Sequence, residues 1–289
     1  MLATVLQLLA SGLAMGFIYS LVAIEYTLIW NTTGLLNFSH DKLITLGAYV
    51  FVGTYALHLG LPVPLAIVCS MITLWVFGAI MALCIFIPLR KKSSMLFAIM
   101  GTILVSKIIV EGIRLIYGSF PMKLTGFLAG TVSLGGSTIA TAYIAIIIVS
   151  ILLVTGLQLF LKYTKPGKAI RCVSQNPKAA SLMGISVSRS ILITTGLSAM
   201  ICCIIGILIT PIFTTDLNMS NMIGLKGFSA GVVGGFGFLP GTIAGGLLIG
   251  IVENLSVTIL PAVYKDVVAF ALLILFLIIR PSGLMGKKA

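Results

Sequence analysis

An all-α, polytopic integral membrane helical bundle of about eight or nine transmembrane segments, some broken or re-entrant, is the fold class this sequence predicts. Three observations carry it. Of 289 residues, 59% are hydrophobic and only 8% are charged, with a mean hydropathy of +1.21, whereas a soluble domain carries about 25% charged residues. Apolar runs of spanning length, roughly 20 residues each, recur from end to end. The 31 glycines and 10 prolines would damage soluble helices, but they suit membrane helices that pack closely or are interrupted.

The apolar runs cover residues 4–30, 43–59, 63–88, 95–118, 138–161 and 190–213, then a glycine-rich stretch at 220–260, and finally 266–280. No Lys or Arg precedes Lys42, so the first run lacks the basic n-region of a signal peptide and reads as a retained span. The positive-inside rule assigns three places to the cytoplasm: Arg90-Lys91-Lys92, the segment 162–189, and the tail with Arg280, Lys287 and Lys288. The segment 162–189 holds six basic residues and no acid, so its side is the firmest. Counting back from Arg90 puts the N-terminus outside. Counting forward returns the C-terminus to the cytoplasm only if 220–260 crosses twice, with a break near Gly237-Phe238-Leu239-Pro240-Gly241. The chain reads as one transmembrane domain, 1–289, with a cytoplasmic loop at 162–190.

The net charge of +12 follows this topology. No basic stretch is interleaved with aromatics as in a nucleic-acid groove, so nucleic acid is not an expected partner. Four of the five cysteines sit in apolar runs and read as packing residues, with no disulfide framework. There is no His/Glu zinc motif and no Ser or Cys nucleophile convincingly placed beside a base, so an intramembrane enzyme is a poor reading. Gly12-Leu13-Ala14-Met15-Gly16 and Gly246-Leu247-Leu248-Ile249-Gly250 share a small-xxx-small pattern, read either as helix packing or as the relic of a transporter repeat.

Within the basic segment, punctuation predicts two short helices. Asn176 suits an N-cap, Pro177 the first helical position and Gly184 a left-handed stop. A helix of about two turns is too short to stand alone in water, so Ala180, Leu182 and Met183 are expected to supply apolar contacts. The run Lys178-Ala179-Ala180-Ser181-Leu182-Met183-Gly184 resembles the EAA-x-x-x-G loop of ABC importer permeases, with Lys178 in place of the glutamate. That resemblance implies a coupling helix docking on a separate ATPase subunit. The chain has no G-x-x-x-x-G-K-[ST] of its own, so ATP and Mg are expected on that partner and no cofactor or metal on this chain.

Further stretches resemble the branched-chain amino-acid permeases of the LivH/LivM family. They are residues 12–28, Gly34-Leu35-Leu36-Asn37-Phe38-Ser39-His40 with Leu46-Gly47-Ala48-Tyr49, Gly234-Gly235-Phe236-Gly237-Phe238-Leu239-Pro240-Gly241 with Gly245-Gly246 and Gly250-Ile251-Val252-Glu253, and the closing Arg280-Pro281-Ser282-Gly283-Leu284-Met285-Gly286. Glu25 and Asp41-Lys42 depart from the family pattern. The resemblance implies a bacterial inner-membrane importer moving branched-chain amino acids or a similar small polar solute by alternating access. Its partners would be ATPase subunits, a second permease subunit (paralogue or identical copy), an extracytoplasmic solute-binding protein and membrane lipid.

Ionisable and polar groups at membrane depth mark pathway candidates. These are Glu25, Asn37, His40, Lys42, Lys107 and Glu111, and Arg114 shares a helix face with the last two. His58 reads as interfacial, and Gly237, Pro240 and Gly241 as a broken-helix hinge. Glu25 and Lys42 lie at similar depth if the first two spans form a hairpin, and adjacent Asp41 is a poor partner for Lys42, so a Glu25–Lys42 ion pair is one expected arrangement, with Lys107 and Arg114 as competing partners for Glu25 and a Glu25 facing an aqueous cavity as the remaining reading. Two other readings remain open: an ion-coupled secondary transporter using Glu25, Asp41 and Glu111, against which the coupling-loop pattern argues, and an ABC permease for a sugar or nucleoside.

Overall fold

The computed structural model describes residues 2–92, 95–134, 137–280 and 282–285; Pro281, Gly286, Lys287 and Lys288 of the expected tail motif lie outside them. Twelve α-helices are described: α1 Leu2–Thr33, α2 His40–Tyr49, α3 Val63–Met81, α4 Ile87–Lys92, α5 Met95–Tyr117, α6 Thr141–Tyr163, α7 Lys165–Gln175, α8 Pro177–Leu182, α9 Val187–Ile209, α10 Asn221–Gly234, α11 Leu239–Ser256 and α12 Lys265–Ile279. Among the described residues, seven helical stretches are long and apolar enough to cross a membrane: Thr4–Thr33, Val63–Arg90, Leu96–Tyr117, Thr141–Tyr163, Val187–Ile209, Leu239–Ser256 and Ala262–Ile279. The all-helical, multi-pass class read from the sequence is therefore observed.

Two stretches depart from regular spans. α2 continues as π-helix over Val50–His58, and α3 does the same over Ala82–Phe86, a geometry with no sequence signature. In the glycine-rich region α10 has 14 residues, about 21 Å at 1.5 Å per residue, against roughly 30 Å of hydrocarbon. It is a broken segment of the kind expected. The start expected for the run 138–161 is corrected. Residues Ser137–Ala140 form β2, antiparallel to β1 Thr131–Leu134 with Thr131 opposite Ala140, and α6 begins only at Thr141.

The chain divides into two compact units. One comprises Met1–Thr27, Thr125–Val154 and Met222–Ala289; the other comprises Leu28–Leu124 and Thr155–Asn221. In the first unit the two small-xxx-small motifs meet each other. A Cβ at Gly16 would stand 3.0 Å from Leu247 Cα, and one at Gly12 would stand 3.1 Å from the Gly250 carbonyl, so α1 and α11 touch backbone to backbone. This favours packing as the reason for the repeated pattern. The break between α10 and α11 runs through Gly235 and Gly237, both at positive φ, where glycine is free of the Cβ penalty. Pro240 sits in the first turn of α11, where its missing N–H leaves nothing unpaired. Gly241 abuts the Gly234 carbonyl, so it is a packing residue where the hairpin closes. The tail seals this end: Leu284 N donates to Val233 O at 2.8 Å and Met285 N to Gly234 O at 3.2 Å, satisfying terminal carbonyls of α10.

In the second unit α9 is the central element, packed against both α2 and α3. Small residues set those contacts: a Cβ at Gly47 would lie 2.6 Å from Cys203 Cα, and one at Gly78 would lie 2.6 Å from Ala199 Cβ. Cys202 and Cys203 are fully buried and act as packing residues, as expected. Tyr117 closes α5 onto the π-helical stretch, its hydroxyl 2.5 Å from Thr54 Oγ1.

Candidate coupling and pathway sites

The basic segment folds as its punctuation predicts. Thr164 caps α7, its Oγ1 accepting from Gly167 N at 3.0 Å. Gly167, Ile170 and Val173 are buried while Lys165, Lys168 and Arg171 are exposed, giving one apolar and one cationic face. Asn176 Oδ1 accepts from Lys178 N and Ala179 N, both at 3.0 Å, and Gly184 has φ +80°. α8 is thus capped at one end and stopped at the other.

Burial along α8 corrects one expectation. Ala180 is 4% exposed and packs inside the chain, but Leu182 is 90% and Met183 is 82% exposed. Two large apolar side chains are therefore held out to solvent from the most basic segment of the protein. Beside them lies a cavity of about 410 Å³ lined by Arg90, Pro177, Lys178, Ser181, Leu182 and Val187. Ala179 is exposed beside Lys178.

At the start of α2 the interruption after α1 gathers polar groups in the second unit. Gly34 (φ +73°) ends α1. Asn37 and His40 are 1% and 2% exposed, with His40 Nδ1 at 2.9 Å from the Asn37 carbonyl oxygen. Asn37 Oδ1 accepts from Ser39 N at 3.0 Å and Ser39 Oγ at 2.6 Å. Lys42 Nζ donates to Asn221 Oδ1 and, at 3.1 Å, to Leu217 O, and it lies 3.6 Å from Asp41 Oδ2. The expectation that adjacent Asp41 is a poor partner for Lys42 is corrected: the lysine stem is long enough to curl back to Asp41. With Asn221 and Leu217 it has three partners inside its own unit, so nothing in its surroundings requires Glu25. Ser220 Oγ donates to Asp41 O at 2.6 Å and lies 2.5 Å from Thr45 Oγ1. Two buried atoms, Asn37 Nδ2 and Asp41 Oδ1, have no hydrogen-bond partner among the described residues. Buried polar atoms are ordinarily hydrogen-bonded, so these two set the cluster apart.

Glu25 is fully buried on α1 in the first unit. Lys107, Glu111 and Arg114 share the exposed face of α5. Arg114 donates to both Glu111 oxygens at 2.9 and 2.8 Å, and Lys107 joins no ion pair among the described residues.

One cluster escaped the sequence reading altogether. In the first unit Lys226 Nζ lies 2.8 Å from Glu253 Oε1 and 2.6 Å from Asp266 Oδ1, and Tyr19 OH donates to Glu253 Oε2 at 3.1 Å. Lys265 Nζ reaches Asn254 Oδ1 at 3.0 Å alongside. Four helices, α1, α10, α11 and α12, converge on one buried ammonium. Lys226 sits between Leu225 and Gly227 in a glycine-rich run, and its acidic partners lie 27 and 40 positions further on. The signal available was the presence of an ionisable residue inside an apolar stretch.

Comparison with known proteins bears on this geometry as a whole. Residues 8–277 match the family described as branched-chain amino acid transport system / permease component. The chain is 32% identical to the high-affinity branched-chain amino acid transport system permease protein LivH of Salmonella typhimurium, over 98% of this chain and 96% of that protein. LivH of Escherichia coli K12 and BraD of Pseudomonas aeruginosa are each 33% identical over the same shares. No solved structure matches. Because the match runs through every spanning helix and through the capped loop at α8, the chain belongs to the family of branched-chain amino acid transport system permease components.

Proposed function

We propose that the chain is the membrane-spanning permease subunit of an ATP-driven importer in the bacterial inner membrane, carrying branched-chain amino acids by alternating access. One observation carries the coupling part of this reading: α8 is a capped two-turn helix that holds Leu182 and Met183 out to water beside an open cavity. An unsupported helix of this length is unstable, so one that is capped at both ends and presents apolar side chains suits a protein contact. Its partner is an ATPase subunit, which binds ATP and Mg. The N-terminus lies outside and the C-terminus in the cytoplasm, because the segment 162–189, with six basic residues and no acid, belongs inside. An extracytoplasmic binding protein delivers the solute. The buried polar group at Asn37, His40 and Lys42 belongs to the solute path. The charged face of α5 is costly against lipid, which supports a second permease subunit covering it.

Vesicles reconstituted with the permease, its ATPase and the binding protein should take up leucine only with ATP on the ATPase side. The permease alone should move none. Uptake by the lone chain driven by a proton or sodium gradient would overturn the importer reading in favour of a secondary transporter. A binding protein loaded only with sugar or nucleoside would overturn the substrate.

A further inference from the structure

The cavity beside α8 has a charge of one sign. Arg90 and Lys178 both line it, and the chain's six acids are at 25, 41, 111, 216, 253 and 266, so no acid lies in the cavity lining or in the segment that forms α7 and α8. Neither cation forms an ion pair among the described residues. Lys178 also stands in the first turn of α8, where a cation opposes the helix dipole, so α8 gains nothing from it. Two cations facing one cleft beside exposed Leu182 and Met183 describe a surface that is complementary to an apolar socket rimmed by an anion.

We propose that the groove between Arg90 and α8 receives a carboxylate side chain of the partner ATPase, so that docking is both apolar, through Leu182 and Met183, and charge-paired, through Lys178 and Arg90. This rests on the coupling role proposed above for α8. The charge pattern requires an acid at the socket rim of the ATPase, because a basic side chain there would meet two like charges. An anionic phospholipid headgroup offers the same charge, but the exposed Leu182 and Met183 lie in the basic segment outside the spanning helices, where a protein socket and not hydrocarbon covers them.

The test is a charge exchange on the permease–ATPase complex in lipid nanodiscs. Lys178→Glu places an acid in the first turn of α8, which the helix dipole favours, so a loss of binding is not a loss of the helix. It should weaken ATPase association by roughly tenfold or more, with Lys178→Met weaker in effect, and one Asp→Lys or Glu→Lys change in the ATPase socket should restore it. Wild-type binding by Lys178→Glu, or no restoring ATPase substitution, overturns the proposal. Leu182→Glu separates it from the coupling reading. If Leu182→Glu abolishes association while Lys178→Glu does not, the coupling site stands and the carboxylate falls; if neither matters, α8 is not the coupling site. The loss should be equal in phosphatidylcholine and phosphatidylglycerol nanodiscs. A loss confined to phosphatidylglycerol would assign the groove to a lipid headgroup.

Discussion

Replacing Glu253 by glutamine removes the charge that meets Lys226 at 2.8 Å, where both side chains are only 6% exposed. The second acid, Asp266, remains 2.6 Å from the same ammonium but is 47% exposed, so its attraction is partly screened and worth less. Removing one member of a buried pair destabilises by about 3–5 kcal/mol, whereas replacing both by apolar groups of similar volume is often nearly neutral. Glu253→Gln should therefore cost about 3 kcal/mol, because Asp266 still balances Lys226 in part. Asp266→Asn should cost about 1 kcal/mol or less. Lys226→Met should cost the most, leaving two carboxylates together with only the Tyr19 hydroxyl donating to Glu253. In the double variant Lys226→Met with Glu253→Leu, most of the loss should return, less about 1–3 kcal/mol for the stranded Tyr19 hydroxyl. Denaturant unfolding of the purified protein, read by tryptophan fluorescence, supplies the four-member cycle of wild type, Lys226→Met, Glu253→Leu and the double variant. Additive effects of the two single changes, or a larger loss from Asp266→Asn than from Glu253→Gln, would refute the reasoning.

Three further outcomes follow from local geometry. Gly250→Val should abolish a stably folded protein, because a side chain at Gly250 meets Gly16 backbone, whereas Gly156→Ala, with nothing within 4 Å, should be neutral or stabilising by up to about 1 kcal/mol; detergent-extracted yield and thermal unfolding compare them. Lys42→Met should lower stability by about 1–3 kcal/mol by stripping Asn221 of its donor, and Asn221→Leu in the same chain should add little, which a thermal unfolding series checks. Asn176→Ala removes the acceptor for two N–H groups at 3.0 Å and should cost α8 about 1 kcal/mol, seen as faster amide exchange at residues 178–180 with the spanning helices unchanged.

What the sequence disclosed was whatever depends on local chemistry. Spanning helices announce themselves by length and hydropathy, and α8 by Asn176, Pro177 and Gly184, because a cap needs only its own turn. What stayed hidden depends on residues brought together from afar. Lys226 reads as an oddity until α11 and α12 supply Glu253 and Asp266. Leu182 and Met183 look like core residues of α8, yet only Ala180 faces inward, a distinction set by how α8 lies on its neighbours. The π-helical stretch at Val50–His58 and the short β1–β2 hairpin carry no pattern that separates them from the apolar runs around them. Lys42 differs in kind: adjacent side chains on a helix point apart, but the long lysine stem curls back to Asp41, 3.6 Å away.

The contact between α1 and α11 limits how the first unit can move. Gly12 and Gly16 meet Gly250 and Leu247 backbone to backbone, so these helices interlock like teeth cut to zero height. A one-residue slide would push a Cβ-bearing neighbour into main chain, and interiors packed this closely do not deform continuously. The two helices are therefore fixed in register. A displacement of one carries the other with it, as a single rod.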